Sequence, residues 1–248
     1  MPELRKQQSE DDDEENREYE GITYSHTYNK AGTYIVKITG KDGAIALLSL
    51  PHSYGCVSLI LDHCSCLQYL DCSNQHLTSL DVSKCTQLEE LYCSSNQLTS
   101  LDVSKCTQLE ELYCHWNKLT PLDVSQNIQL EKLHCYRSKL TTLDVSKNTQ
   151  LKDLSCSENE LASLDVSKNT QLQELYCYNN QLTSLNISGC TQLRELHCYN
   201  NRLPEVVMNK IYNDLPVVGQ GEGRINVDWY TAGDYYIAEN KGWNVRFW

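Results

Sequence analysis

Two columns of ring-bearing residues recur at a spacing of 21: Asp71, Tyr92, Tyr113, His134, Ser155, Tyr176, His197, and beside them Ser73, Ser94, His115, Tyr136, Ser157, Tyr178, Tyr199. Trp116 and Arg137 flank the second column, and Glu90, Glu111, Asp153, Glu174 and Glu195 form an acidic margin along the first. The chemistry these types offer is recognition: Tyr, Trp and Arg join a large rigid contact area to a polar handle, as the centres of interfaces require. Tyr and His also suit strands for their own sake. A binding face is the preferred reading, because an exposed row of aromatics needs a reason. Ser155 and Ser157 interrupt both columns, dividing the rings into a patch near Tyr113, Trp116 and Tyr136 and another near Tyr176, Tyr178, His197 and Tyr199.

Catalysis finds no support. Nothing specific pairs with His115, His134 or His197, and no Gly-x-Ser-x-Gly, His-Glu-x-x-His or P-loop word occurs, so the chain reads as a non-enzyme without a cofactor. His52, Cys56, His63, Cys64 and Cys66 invite a zinc reading, but Cys56 and Cys64 fall on packing positions and no Cys-x-x-Cys pair is present. The column Asp81, Asp102, Asp123, Asp144, Asp165 resembles a calcium ladder, yet Lys84, Lys105, Lys147 and Lys168 follow at i+3, which favours a solvated, partly paired edge. No metal is expected. The glycines of Gly219-Gln-Gly-Glu-Gly223 precede a strand rather than a helix, so they read as a linker and not a phosphate loop.

The net charge of -12 and the absence of clustered Lys or Arg exclude a nucleic-acid partner. Residues 1–20 hold nine acids against three bases and should form a disordered acidic tail. No run is long and apolar enough to insert in a membrane, and the opening Met1-Pro-Glu-Leu-Arg lacks the apolar core of a signal peptide, which is compatible with a cytoplasmic location.

What positions the columns is a 21-residue word repeated seven times, clearest as Leu88-Glu-Glu-Leu91-Tyr-Cys93-Ser-Ser-Asn96-Gln-Leu98-Thr-Ser-Leu101-Asp102-Val103-Ser104. Its Leu-x-x-Leu-x-Cys segment alternates with period two, so Leu91 and Cys93 face inward while Glu90, Tyr92 and Ser94 face outward. The Ser-, Thr- and Asp-rich remainder is too short for a long helix and should return in extended segments and tight turns. The fold class is therefore a mainly β repeat solenoid of the α/β type, right-handed and curved, with a parallel concave sheet. Seven cysteines at 72, 93, 114, 135, 156, 177 and 198 form an interior column. Neighbours on in-register strands cannot bring their Cβ atoms into disulfide geometry, so these should be reduced, buried thiols.

Residues 21–66 read as an N-terminal β cap, with a hairpin of Ile22–Ser25 and Thr33–Thr39 and a degenerate repeat over 46–66. The array spans 67–203, and 204–248 reads as a C-terminal cap of helix, strand, helix, strand. The pattern Leu-x-x-Leu-x-Cys-x-x-Asn-x-Leu resembles the leucine-rich repeat, with Asn at 96, 117, 159, 180 and 201 but Gln75 and Ser138 in two repeats, where the Asn ladder should be weaker. Leu-Thr-Ser-Leu-Asp-Val-Ser and Ala238-Glu-Asn-Lys-Gly-Trp243 resemble cell-surface, internalin-like leucine-rich-repeat proteins of Bacteroidetes, and His26-Thr-Tyr-Asn-Lys-Ala-Gly-Thr-Tyr-Ile-Val is similar to the last strands of a PKD/Ig-like module. The resemblance implies a surface or secreted, adhesin-like binding protein whose partner is a protein, host-derived in that setting. A glycan ligand or a structural spacer is the alternative. The ligand face would comprise Tyr92, Tyr113, His115, Trp116, His134, Tyr136, Arg137, Tyr176, Tyr178, His197 and Tyr199.

Overall fold

The computed structural model describes residues 5–7, 23–25, 34–39, 45–50, 55–231 and 233–248. The alternating Leu-x-Leu segments form ten parallel strands in one sheet, ordered in space from Leu47–Ser49 through Tyr69–Asp71, Glu90–Tyr92, Glu111–Tyr113, Lys132–His134, Asp153–Ser155, Glu174–Tyr176 and Glu195–His197 to Gly223–Val227 and Trp243–Phe247. From Leu70 onward through Leu196 the register pairs each residue with its counterpart 21 positions away, as Tyr92 with Tyr113, so chemically equivalent side chains align in columns. This is a mainly β solenoid of about ten turns. Its opposite wall is sparser: Ser163–Asp165 pairs with Ser184–Asn186, and single bridges join Asp81, Asp102 and Asp123.

The columns of Leu, Val and Cys close on one another to form a continuous core in which Leu70, Leu91, Leu112, Cys93, Cys114 and their repeats carry no exposed surface. All thirteen cysteines are free thiols, and Cys66 is the one with an exposed side chain. Burial pushes the Cys85, Cys106 and Cys156 thiols up to about 12, so they act as neutral small hydrophobes.

Turns are tied by an asparagine ladder. Asn96 Oδ1 accepts the Leu77 N–H at 2.9 Å, while its Nδ2 donates to the carbonyls of Cys72 at 2.9 Å, Cys93 at 3.1 Å and Ser94 at 3.2 Å. At Gln75 the ladder continues with longer bonds: its Oε1 accepts the Cys56 N–H at 3.2 Å and its Nε2 donates to Ser73 O at 3.3 Å. Ser138 does break it, being too short to span the turns, and its buried Oγ has no partner. A second buried ladder runs along the opposite side, where Asn127, Asn148 and Asn169 occupy the positions that Cys85, Cys106 and Cys190 hold in other repeats. Asn148 Nδ2 donates to Val124 O at 2.9 Å and Asn127 O at 2.8 Å, and Cys190 Sγ donates to Val166 O at 3.3 Å. Asn and Cys exchange here because both are small and can donate to a buried carbonyl.

The N-terminal region departs from the expected hairpin. Tyr34–Thr39 pairs in parallel with Cys56–Asp62, and Thr23–Ser25 pairs antiparallel with Arg5–Gln7. With Val36 against Leu59, Ile38 against Leu61, and Leu48 against Leu70, this segment packs as further solenoid turns, because its apolar residues join the same core. The strands that carried the likeness to an Ig-type module thus do not pair with each other. Arg5–Gln7 is a strand within the acidic tail; the remainder of that tail lies outside the described residues, as does the expected hairpin turn at 29–32.

The C-terminal end is closed by α1 (Glu205–Asp214), which buries Met208, Ile211 and Tyr212, and by α2 (Tyr236–Glu239) with the last two strands. Trp243 is the large plug there: its Nε1 donates to Pro216 O at 2.8 Å, and its indole lies 2.5 Å from where a Cβ on residue 223 would stand. Gly223 therefore opens a strand beneath this ring, and only a residue without a side chain fits. No helix among the described residues is long and apolar enough to cross a membrane.

The ladder defines a stability test. Ser138→Asn should raise unfolding free energy by about 1–2 kcal/mol, by restoring bonds between two turns, whereas Asn159→Ser should lower it by about 2 kcal/mol. Urea unfolding followed by circular dichroism measures both, and a lower midpoint for Ser138→Asn would refute the account.

Candidate binding face

Along each strand of the ten-stranded sheet the side chain preceding the buried Leu and those one and three positions after it project from the outer face, so the 21-residue register stacks them across neighbouring turns. The first column begins earlier than its sequence suggests: Tyr69, from the acidic margin, leans on Tyr92 with ring centroids 5.3 Å apart. Tyr92 stacks on Tyr113 at 4.6 Å and 7°, and Tyr113 meets His134 edge-on at 4.7 Å. Beyond Ser155 the column resumes with Tyr176 edge-on to His197 at 4.9 Å. In the second column His115 stacks on Tyr136 at 4.3 Å and 11°, and Tyr178 on Tyr199 at 4.8 Å and 2°. Nine of the eleven residues proposed from sequence fall in these two columns, while Trp116 and Arg137 lie on the turns that follow their strands. The rings form two stretches, and no ring contact crosses the fifth repeat among the described residues.

Sequence reasoning missed Trp248, which stacks on Tyr199 at 4.9 Å and 13° and lengthens the second column by one rung. The repeat period gives no sign of it, because the cap strands lie 29 and 20 residues along: Glu195 aligns with Arg224, which aligns with Asn244. It also missed the orienting role of the acidic margin. Tyr92 Oη lies 3.1 Å from both Glu90 Oε2 and Glu111 Oε2, Tyr176 Oη donates to Glu174 at 2.7 Å, His134 meets Asp153 at 2.8 Å, and His197 meets Glu195 at 2.9 Å. Burial and then these carboxylates hold the Tyr92, Tyr113 and Tyr176 phenols well above the usual value, and Tyr69 is pushed up to about 12. The rings are therefore neutral donors fixed at both ends, by stacking and by hydrogen bonds.

Stacking decides what the face can contact. Where rings lie parallel across turns, as Tyr92 on Tyr113, His115 on Tyr136 and Tyr178 on Tyr199, their faces are spent on one another, and what they turn outward is ring edges and hydroxyls beside the carboxylates. Trp116 and Arg137 stand out from it. They occupy, with Asn74, Ser95, Glu158, Asn179 and Asn200, a turn position held at φ 51–56°, a left-handed conformation that costs a bulky side chain more than an Asn. Arg137 covers the Trp116 ring at 4.1 Å and donates from Nε to Glu158 at 2.6 Å. Trp116 nevertheless keeps 48% of its surface exposed.

Each Asp of the 81, 102, 123, 144, 165 column accepts the N–H two residues on at 2.9 Å, and the serine there draws its carboxyl below the usual range. These are turn-closing bonds. Among the described residues no group of three or more His, Cys, Asp or Glu is arranged to hold a metal; His52 lies outside them.

Residues 67–103, 86–127 and 170–211 match the family model of leucine-rich repeats. No curated protein matches the chain. Among solved structures, the functional domain of InlJ from Listeria monocytogenes, which includes a cysteine ladder, is 46% identical over 56% of this chain and 31% of that one, with a TM-score of 0.55. A leucine-rich-repeat protein of Leptospira interrogans is 25% identical over 74% of this chain and 49% of that one, with a TM-score of 0.66. A plant peptide hormone receptor, RGFR1 in complex with RGF2, shares the fold at 22% identity over 73% of this chain and 35% of that one, with a TM-score of 0.53. The chain thus spans 31% and 49% of the first two structures it resembles.

Burial, with His134 beside it, lowers the His115 imidazole to about 4, and its Nδ1 has no partner. The folded value lies below the unfolded one of about 6.5, so the stability that the neutral ring confers is complete above pH 6.5 and is lost as pH falls toward 4. Imidazole resonances should show His115 neutral at pH 5, and a midpoint near 6.5 would overturn that. His115→Gln should flatten the decline of the urea midpoint between pH 6.5 and 4.

Proposed function

We propose that this leucine-rich-repeat solenoid is a non-enzymatic protein-binding module that engages its partner through the ring-bearing face. The observation that carries the reading is the pair of half-buried, outward-facing ring columns, oriented by carboxylates and flanked by an exposed Trp and an Arg kept in left-handed turns where Asn would cost less. Strained residues retained on an exposed face support a role in contact rather than in folding. Leucine-rich-repeat proteins serve in general as interaction scaffolds, and the match to that family model over three stretches of the chain supports a protein-binding role. We extend the reading to surface display and an adhesin-like role toward a host, on the resemblance of the repeat words to cell-surface proteins of this kind.

A glycan is the second reading, but sugars stack on ring faces, and here most faces are covered by the next ring or, on Trp116, by Arg137. Edges and hydroxyls suit a polypeptide, whose backbone and side chains offer both donors and acceptors. A spacer would need neither column.

The test is capture from a host-surface extract, intact and enzymatically deglycosylated, with wild type and a Tyr113→Ala/Tyr136→Ala variant as bait. Variant-sensitive capture that survives deglycosylation is expected; capture lost on deglycosylation would transfer the reading to glycan, and none sensitive to the variant would leave the spacer. Trp116→Asn should weaken the captured interaction at least tenfold while unfolding stability stays within about 1 kcal/mol, since a lost contact with Arg137 is offset by a relaxed turn.

A further inference from the structure

A solenoid normally ends in a turn whose outer face is polar, because that face meets water. The C-terminal cap does the opposite. Of six large aromatic side chains left exposed among the described residues, five belong to this cap: Trp229, Tyr230, Tyr236, Phe247 and Trp248, each 45–72% exposed. The last strand links them, since Phe247 meets Tyr235 edge-on, Tyr235 stacks on Tyr236, and the Trp229 N–H bonds to Trp248 O at 3.4 Å. That strand, Trp243–Phe247, is the outermost of the ten, and no described residue pairs with its far side. Trp248 directs both its C=O and its N–H to the inner neighbour, the N–H to Val227 O at 2.9 Å. Backbone direction alternates along a strand, so Trp243, Val245 and Phe247 aim their N–H and C=O groups at the open edge.

We propose that this edge is a homodimer interface: a second copy of the chain adds its own last strand antiparallel to it, with Val245 on the two-fold axis. The strand Trp243-Asn-Val-Arg-Phe247 is self-complementary in that register. Val245 faces Val245 of the other copy and Trp243 faces Phe247, and these are the residues whose backbone groups point outward and can exchange hydrogen bonds in pairs. Arg246, the one charged residue of the strand, falls opposite Asn244, so like charges do not meet directly; both are exposed. Trp248 falls opposite Gly242, where no side chain competes. Five rings about three-fifths exposed, at ~200 Å² apiece, offer about 600 Å². A standard interface takes about 800 Å² from each partner, which these rings and the strand edge together approach. A second copy supplies the matching register by symmetry, whereas an unrelated strand would have to evolve it. Residues opposite one another in an antiparallel pair share a side of the sheet, so the two outer faces join as one surface of twenty strands and the ring columns converge on the axis. This interface lies beyond the ring-face reading and does not depend on what that face binds.

Sedimentation velocity on the full chain, from about 1 to about 200 µM, reads the assembly. The mass should rise from 28.5 kDa toward twice that value. Asn244→Arg sets an arginine against Arg246 of the other copy at both ends of the pairing, and should weaken the dimer at least fivefold. Adding Arg246→Glu should restore it, because opposite charges then face each other at both ends. Val245→Pro removes an N–H that points only to the open edge, and should give a monomer whose circular dichroism is that of the folded chain. A chain that stays single at about 200 µM overturns the second copy and hands the edge to a strand of another protein. A dimer left intact in folded Asn244→Arg and Val245→Pro variants places the contact elsewhere and overturns this interface as well.

Discussion

The structure depends on one buried interaction repeated at nearly every turn: an amide side chain that takes a backbone N–H of the preceding turn and gives its own hydrogens to carbonyls of two turns at once. A buried peptide group left unpaired costs a few kcal/mol, so a chain that coils this tightly can bury its return loops only where such a side chain is supplied. The amide also fixes the rise and register between turns. Without a constant register, leucines would not fall on leucines, and the outward residues would not fall into columns. The ring stacks on the sheet are thus a downstream effect of an interior hydrogen bond.

The recurrence of the 21-residue word made the core, the parallel sheet and the alignment of the ring-bearing residues in columns legible before any coordinates. Periodicity carries that information because each turn sees nearly the same neighbours. Where the period slips, legibility failed. Tyr34–Thr39 looks like half of a hairpin because alternation identifies a strand but says nothing of its partner; its burial with Val36 and Ile38 toward the common core drew it into parallel pairing with Cys56–Asp62. Trp248 joins the face through cap strands spaced 29 and 20 residues along, a slip no repeat count reveals. Gln75 keeps the rung's bond to the preceding turn with a longer side chain, whereas Ser138 loses it.

Electrostatics on the face follow from the same alignment. Placing like residues 21 apart stacks Glu90 on Glu111 and Glu174 on Glu195, which would repel were they not shared out among phenols, imidazoles and lysines. Lys132 meets Glu111 at 2.9 Å and Lys152 meets Glu131 at 2.6 Å, each breaking an acidic run from the next turn. The face is consequently polar at its rim and aromatic along its middle, with the partners of each charge drawn from an adjacent repeat rather than its own.

The thiol columns described above give the molecule an internal clock. A thiolate reacts, a thiol scarcely does, and burial holds these cysteines in the inert form until a turn leaves its neighbours. Turns at the ends of a solenoid have one neighbour instead of two, so they open first. Each cysteine then stamps the moment its own turn separates, and a thiol reagent reads the order of unravelling along the axis as a series of successive modifications, beginning from Cys66, which is already exposed.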